Sequence, residues 1–223
     1  MSEEKELCIV DGDRFVWSSC LPIPQLNEAG EKLRDEVTGN IIYQPEKTFA
    51  EVEQCWNDWI EAIIKEVNTD NLKVFIGGKG SYRKLIVPSY KSGRKDMQIP
   101  EKLNWLQDKL LKEGKAFCAN GYETDDLVLS CNKLHENSFI LTNDQDLLYT
   151  EGKRFNWNNK TWMNCTREEE ISKFCEDMIL GQKGDSVPGL FGKGKAFWNK
   201  VLAFHVEVIS QNIESLYQIV LNE

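Results

Sequence analysis

The sequence predicts an α/β protein with a mostly parallel central sheet flanked by helices. Three observations point there. Short apolar runs at residues 7–10, 72–76 and 139–141 end in turn-forming or polar residues, as buried strands do. Longer segments between them carry apolar residues at helical spacing. The two kinds alternate along the chain, which is the order that builds a parallel sheet from strand–helix units.

Element by element, residues 7–10 form the first strand and Asp11-Gly12 its exit turn. Residues 18–45, rich in Pro, Gly and polar side chains, read as irregular. Thr48 opens a helix whose apolar face is Phe49, Val52, Trp56, Trp59, Ile60, Ile63, Ile64 and Val67. Residues 72–76 are the next strand, and 77–99 a Gly-rich, then basic surface segment. Pro100 begins a helix carrying Leu103, Leu106, Leu110 and Leu111. A short strand at 116–118, a helix at 123–134 and a strand at 139–141 follow. Segments 154–157 and 161–164 read as a hairpin closed at Asn158-Asn159. Thr166 and Glu169 form a capping box for a helix to about Leu180. Helical patterns resume after Gly194 and again over 206–221.

With 223 residues, 41% of them hydrophobic, the chain holds enough apolar material for one sizeable core, so a single domain over 1–223 is expected. No stretch approaches the roughly 20 apolar residues of a membrane span, and the charged residues 1–6 offer no apolar signal region, so a cytoplasmic protein is expected. The seven cysteines form no C-x-x-C pair and read as reduced thiols. Two histidines are too few for a histidine metal site or a Ser-His-Asp triad. The net charge of −9 is unevenly spread: cations crowd into 79–95 and recur at Lys183, Lys193, Lys195 and Lys200.

Four acidic motifs punctuate this pattern. They are Asp11-Gly12-Asp13, Glu123-Thr124-Asp125-Asp126 after Gly121-Tyr122, Asn143-Asp144-Gln145-Asp146, and Gly184-Asp185-Ser186. Each falls at a strand exit or element start, where sites of open α/β sheets lie. Each also has a plain structural reading as a turn, a dipole-favouring first turn or a solvated loop. Four at matching positions favour a shared purpose. Magnesium prefers carboxylate oxygen. Phosphodiester hydrolysis gains from two such ions roughly 4 Å apart, and these need several converging acids. On a helix, Glu123 and Asp126 fall on one face with Asp125 beside it. Asp144 and Asp146, if extended, point to one side.

In this order the motifs resemble those of the 5′-nuclease superfamily: flap endonucleases, phage 5′–3′ exonucleases and the nuclease domain of bacterial DNA polymerase I. The resemblance implies a PIN-like core with a helical arch at about 79–100. It also implies a DNA-gripping helix–three-turn–helix at about 178–203, centred on Gly189-Leu190-Phe191-Gly192-Lys193-Gly194-Lys195. It carries metal-ligand roles to Asp11, Glu123, Asp125, Asp126, Asp144, Asp146 and Asp185. Asp11 and Glu123 are also placed with the catalytic group. Arg83 and Lys91 take catalytic contact with the scissile phosphate, supported by Arg94, while Tyr82 or Tyr90 stacks on a frayed base. Gly189, Gly192, Lys193, Gly194 and Lys195 contact duplex phosphates.

The implied activity is structure-specific hydrolysis at 5′ ends, nicks or flaps, serving DNA replication and repair. The implied cofactors are two Mg2+ ions, replaceable by Mn2+, with K+ at the Gly-rich loop. The implied partners are branched, nicked or 5′-ended duplex DNA and RNA primers, met by a monomeric stand-alone enzyme of bacterial or phage type, the latter working in the host cytoplasm.

Two departures stand out. The family carries an acid just after the second strand, where this chain has Ile76-Gly77-Gly78. It carries another three residues before Asp185, where this chain has Gln182. They motivate a second reading, a branched-DNA-binding protein with impaired catalysis. A third, a ribonuclease with a similar acidic α/β core, fits the 189–195 loop less well.

Overall fold

The computed structural model describes residues 5–94 and 98–208. In chain order the elements are β1 (Leu7–Asp11), α1 (Asp13–Cys20), α2 (Phe49–Val67), β2 (Leu72–Phe75), α3 (Arg83–Ile86), a 3₁₀ turn (Ser92–Arg94), α4 (Leu103–Lys112) and α5 (Thr124–Leu134). They continue with β3 (Ser138–Thr142), α6 (Gln145–Leu148), β4 (Gly152–Asn156), β5 (Thr161–Cys165), α7 (Arg167–Leu180), β6 (Gly181–Gln182), a second 3₁₀ turn (Lys183–Asp185), β7 (Val187–Pro188) and α8 (Lys195–Val208). The expected helix at 206–221 lies, from 209 on, outside the described residues. Five strands form a mostly parallel sheet, ordered β2-β1-β3-β4-β5, with helices flanking it. Among the described residues no helix is long and apolar enough to cross a membrane.

The described residues divide into two compact units, one from 5–79 and 98–138, the other from 80–94 and 139–208. In the first, β1 and β2 pair in parallel from Cys8↔Leu72 to Asp11↔Phe75. β1 is apolar because it is buried: Cys8, Ile9 and Val10 are fully inaccessible. Thr48 caps α2 reciprocally with Glu51, and Asn68 ends that helix in the left-handed region at φ 56°. α1 packs on α2 and α4, and Phe15 meets Trp59 at 5.5 Å. In the second unit β3 pairs in parallel with β4, and β4 in antiparallel with β5. Phe139, Phe155 and Trp162 pack edge-to-face there.

The structure departs from the sequence reading in several places. α1 occupies 13–20, where no helix is expected, so Asp13 opens a helix directly after the strand. Residues 21–44 are more ordered than an irregular loop. Asn27 and Asp35 accept backbone N–H bonds in two side-chain-closed turns, and Pro24↔Tyr43, Leu26↔Lys32 and Arg34↔Ile41 bridge in antiparallel fashion. The expected strand at 116–118 is a single parallel bridge, Phe75↔Phe117. α4 starts at Leu103 rather than Pro100. The β4–β5 turn spans 157–160, because Asn156 Oδ1 holds the N–H groups of Asn158 and Asn159 and Lys160 takes φ 54°. Within 80–94, helix is confined to α3 and the first 3₁₀ turn.

Candidate functional site

In the first unit the acids gather where β1 and β2 end and α5 begins. Asp11 closes β1 and is partly exposed. Gly12 follows because nothing larger fits: a Cβ there would lie 2.7 Å from both Phe75 O and Val74 Cγ1. Its N–H donates to Phe75 O at 2.8 Å, and the chain turns straight into α1. Asp13 accepts from Gly77 N–H at 2.6 Å and from the Thr124 hydroxyl at 2.6 Å. Glu123 is the N-cap of α5 rather than a residue of its first turn, and it closes a reciprocal capping box with Asp126. Asp126 Oδ2 accepts from the Glu123 N–H at 3.1 Å. Asp125 and Asp126 stand in the first helical turn, where negative charge is favoured.

In the second unit Asp144 is the N-cap of α6 and accepts from Asp146 N–H at 2.9 Å. The two are therefore one helical turn's opening, not alternate residues of an extended strand. Partial desolvation raises the Asp146 carboxyl above the ordinary aspartate value. The charges of Asp144 and Asp177 raise it further, opposed by Lys173 and by a hydrogen bond from Gln182. Gln182 Nε2 donates to Asp146 Oδ1 at 3.1 Å and to Asp177 Oδ2 at 3.3 Å. At the position of the expected acid, the chain thus has a neutral donor between two carboxylates. Asp177 also pairs with Lys173 across one turn of α7.

Asp185 joins the basic segment. Its carbonyl accepts from Lys91 N–H at 2.9 Å, and its Oδ2 accepts from the Tyr90 hydroxyl at 3.3 Å. Tyr90 is only 8% exposed, so its ring is not presented for stacking, whereas Tyr82 at 39% is. Lys91 lies over the Tyr90 ring at 5.0 Å, and Arg83 over Tyr82 at 4.9 Å. The Arg94 side chain lies outside what the structure describes.

The glycines of the 189–195 loop differ in purpose. A Cβ at Gly189 would strike Ile179 O at 2.4 Å, so this glycine serves close packing on the end of α7. Gly192 takes φ 70°, which favours glycine, and Gly194 O accepts from the N–H groups of Phe197 and Trp198 in the first turn of α8. Lys195 pairs with Glu176, and Lys193 lies over Phe197 at 4.4 Å. Cys175, Ile179 and Trp198 form the core beneath.

All the oxygen donors are carboxylates or amides, a set that suits a hard divalent cation. The mutual repulsion at Asp144, Asp146 and Asp177 is what such a cation would relieve. Among the described residues no three His, Cys, Asp or Glu side chains meet closely enough to hold a metal ion as they stand.

No family profile matches the chain, and no curated protein sequence does. Solved structures do. The bacteriophage T5 flap endonuclease in complex with DNA and metal ions superposes with a TM-score of 0.59 at 19% identity, covering 97% of this chain and 83% of that one. The T5 protein co-crystallised with metal ions gives 0.57 at 18%, covering 93% and 79%. The catalytic core of Rad2 in complex with DNA substrate gives 0.51 at 13%, covering 92% and 60%.

The fold is the one shared by the T5 flap endonuclease and the catalytic core of Rad2.

On this fold, Thr124 and Asp177, which the sequence reading left without a role, come forward, and Asp13 of the first acidic motif gains defined partners. Asp13 and Thr124 form a contact across 111 residues, which no local pattern announces. Asp177 looks like an ordinary i,i+4 partner of Lys173 and gains interest only through Gln182 and Asp146.

Proposed function

We propose that the chain is a divalent-metal-dependent 5′-nuclease acting on DNA. The observation that carries this is the placement of acids at the ends of β1 and β3 and at the start of α5, in a fold shared with a flap endonuclease solved with DNA and metal ions. The residues that would hold the ions are Asp11, Glu123, Asp125 and Asp126 in the first unit, and Asp144, Asp146 and Asp185 in the second. Two Mg2+ ions bound by such acids would lower the pKa of an attacking water and steady the leaving oxygen. Arg83 and Lys91 would orient the scissile phosphate, and exposed Tyr82 would offer a stacking face. Backbone N–H groups around Gly192–Lys195 would track duplex phosphates, giving selectivity for structure rather than sequence. We extend the proposal to Mn2+ as a substitute and K+ at the 189–195 loop.

The test is a 5′-labelled flap duplex and a nicked duplex, incubated with Mg2+, Mn2+ or chelator, with Asp144→Ala alongside. Metal-dependent cleavage near the junction or from the 5′ end, abolished in Asp144→Ala, is expected.

A second reading, a branched-DNA-binding protein with impaired catalysis, rests on two observations. The β2 exit carries Gly77-Gly78, and Gln182 donates a hydrogen bond to Asp146 instead of offering a carboxylate. Tight flap binding in a mobility-shift assay without cleavage in either metal would establish it and refute the enzyme.

A further inference from the structure

Asp13 is the first residue of α1, and its two oxygens are used by two different elements. Oδ1 accepts from Gly77 N–H, 64 residues away, and Oδ2 from the Thr124 hydroxyl, 111 residues away, each at 2.6 Å. Hydrogen bonds to an ionised carboxylate are short and about twice as strong as neutral ones. Thr124 is 3% exposed and stands between Glu123 and Asp125, so fixing its hydroxyl fixes the opening of α5. Gly77 begins the loop after β2, so the same carboxylate fixes that exit.

The space around the two glycines shows why this anchor comes from α1. Gly78 has no room for a side chain: a Cβ would lie 2.4 Å from Ala119 O, a backbone atom. Gly77 does not take the left-handed φ that favours glycine. A Cβ on it would lie 3.3 Å and 3.4 Å from the Asp13 oxygens. The place a carboxylate on the β2 exit would reach is therefore already filled by Asp13, and a second acid at 77 would abut it.

We infer that Asp13 is a positioning residue: its carboxylate clamps the β2 exit to the start of α5 and so sets Glu123, Asp125 and Asp126 for metal binding. The inference rests on the nuclease reading, because those three acids are its candidate ligands. It assigns Asp13 hydrogen-bonding work rather than a ligand's charge. An asparagine can do that work, its amide oxygen accepting from Gly77 and its amide nitrogen donating to a rotated Thr124 hydroxyl.

The experiment is Mn2+ titration calorimetry on the full chain, comparing wild type with Asp13→Ala, Asp13→Asn and Thr124→Val. Metal-free amide exchange at Gly77 is read on the same four proteins. Loss of a supporting hydrogen bond around a metal site weakens affinity by about 10–100-fold, and Asp13→Ala should fall in that range. Thr124→Val, which removes no charge, should weaken Mn2+ binding in the same direction. Asp13→Asn should keep most of the affinity, and Gly77 exchange should accelerate in Asp13→Ala but not in Asp13→Asn. Wild-type affinity in Asp13→Ala, or unchanged Gly77 exchange in it, overturns the clamp. An Asp13→Asn loss equal to that of Asp13→Ala, with Thr124→Val silent, overturns positioning in favour of a direct use of the charge. A wild-type chain that binds no Mn2+ refutes the nuclease reading itself, and the inference with it.

Discussion

Gly78→Ala is expected to destabilise the chain far more than Gly77→Ala, although the two residues are neighbours. At Gly78 the added methyl would sit 2.4 Å from Ala119 O, 2.8 Å from Ala119 C and 3.2 Å from Asn120 N. Comfortable contact is about 3.5 Å, so one strand of backbone must retreat by about 1 Å. It cannot do so freely. Asn120 Oδ1 holds the Lys79 N–H at 3.0 Å, and Lys79 O holds the Gly121 N–H at 2.9 Å. Overpacking of this kind amounts to about 1–3 kcal/mol. Weakening two hydrogen bonds adds about 0.5–1.5 kcal/mol each. The lower unfolded-state entropy of alanine returns only about 0.4–1 kcal/mol. The net, about 1–5 kcal/mol, corresponds to a fall in Tm of about 2–20 °C for a chain of this size. At Gly77 the methyl meets only the Asp13 carboxylate at 3.3 Å, the end of a side chain that can shift, so the loss should stay within about 1 kcal/mol. Thermal melts followed by circular dichroism compare the two. Equal Tm values for wild type and Gly78→Ala, or a larger loss at Gly77, would refute the reasoning from close approach at the β2 exit.

Asp146→Asn should raise stability at neutral pH in the absence of metal. The folded-state pKa of Asp146 is raised, so its contribution is most favourable below its unfolded value and is lost as the pH rises through the folded one. The gain in Tm from the asparagine should therefore shrink as the pH is lowered, and a constant gain across pH 3–8 would contradict the assignment. Arg154, 1% exposed, donates to Leu147 O, Thr150 Oγ1, Lys153 O and Glu151 O, and burial lowers its pKa to about 10. Arg154→Met keeps the apolar volume but leaves those acceptors unmet, and urea unfolding should show a loss of about 3 kcal/mol or more. A loss under about 1 kcal/mol would mean that water replaces the guanidinium.

The alternation of apolar strands and amphipathic helices was readable because burial and periodicity are local properties. Residues 7–10 and 139–141 read as strands because they are buried on both faces, while α2 declares itself through its apolar stripe and α7 through its capping box. α1 escaped because Asp11-Gly12-Asp13 has the composition of a turn, and only the contact of Gly12 with Phe75 O makes it the joint between strand and helix. The pairing of Asp144 and Asp146 on an extended segment failed for a similar reason. Asp144 caps a four-residue helix too short to show periodicity. Tyr90 and Tyr82 are alike in sequence, and burial against the second 3₁₀ turn separates them.

What the sequence determined by itself was the class of fold and the acids beyond the strands, which follow from residue type and spacing that a chain carries unfolded. Its resemblance to the 5′-nucleases added the two positions where an expected acid is missing. What only tertiary structure decided was how those two positions are filled. Asp13 comes from 64 residues away to occupy the space beside Gly77, and Gln182 places a donor between Asp146 and Asp177. Such contacts join residues whose separation in sequence bears no relation to their distance in space. They exist because the folded backbone brings the Gly77 N–H and the Thr124 hydroxyl to one carboxylate, and the Gln182 amide to two.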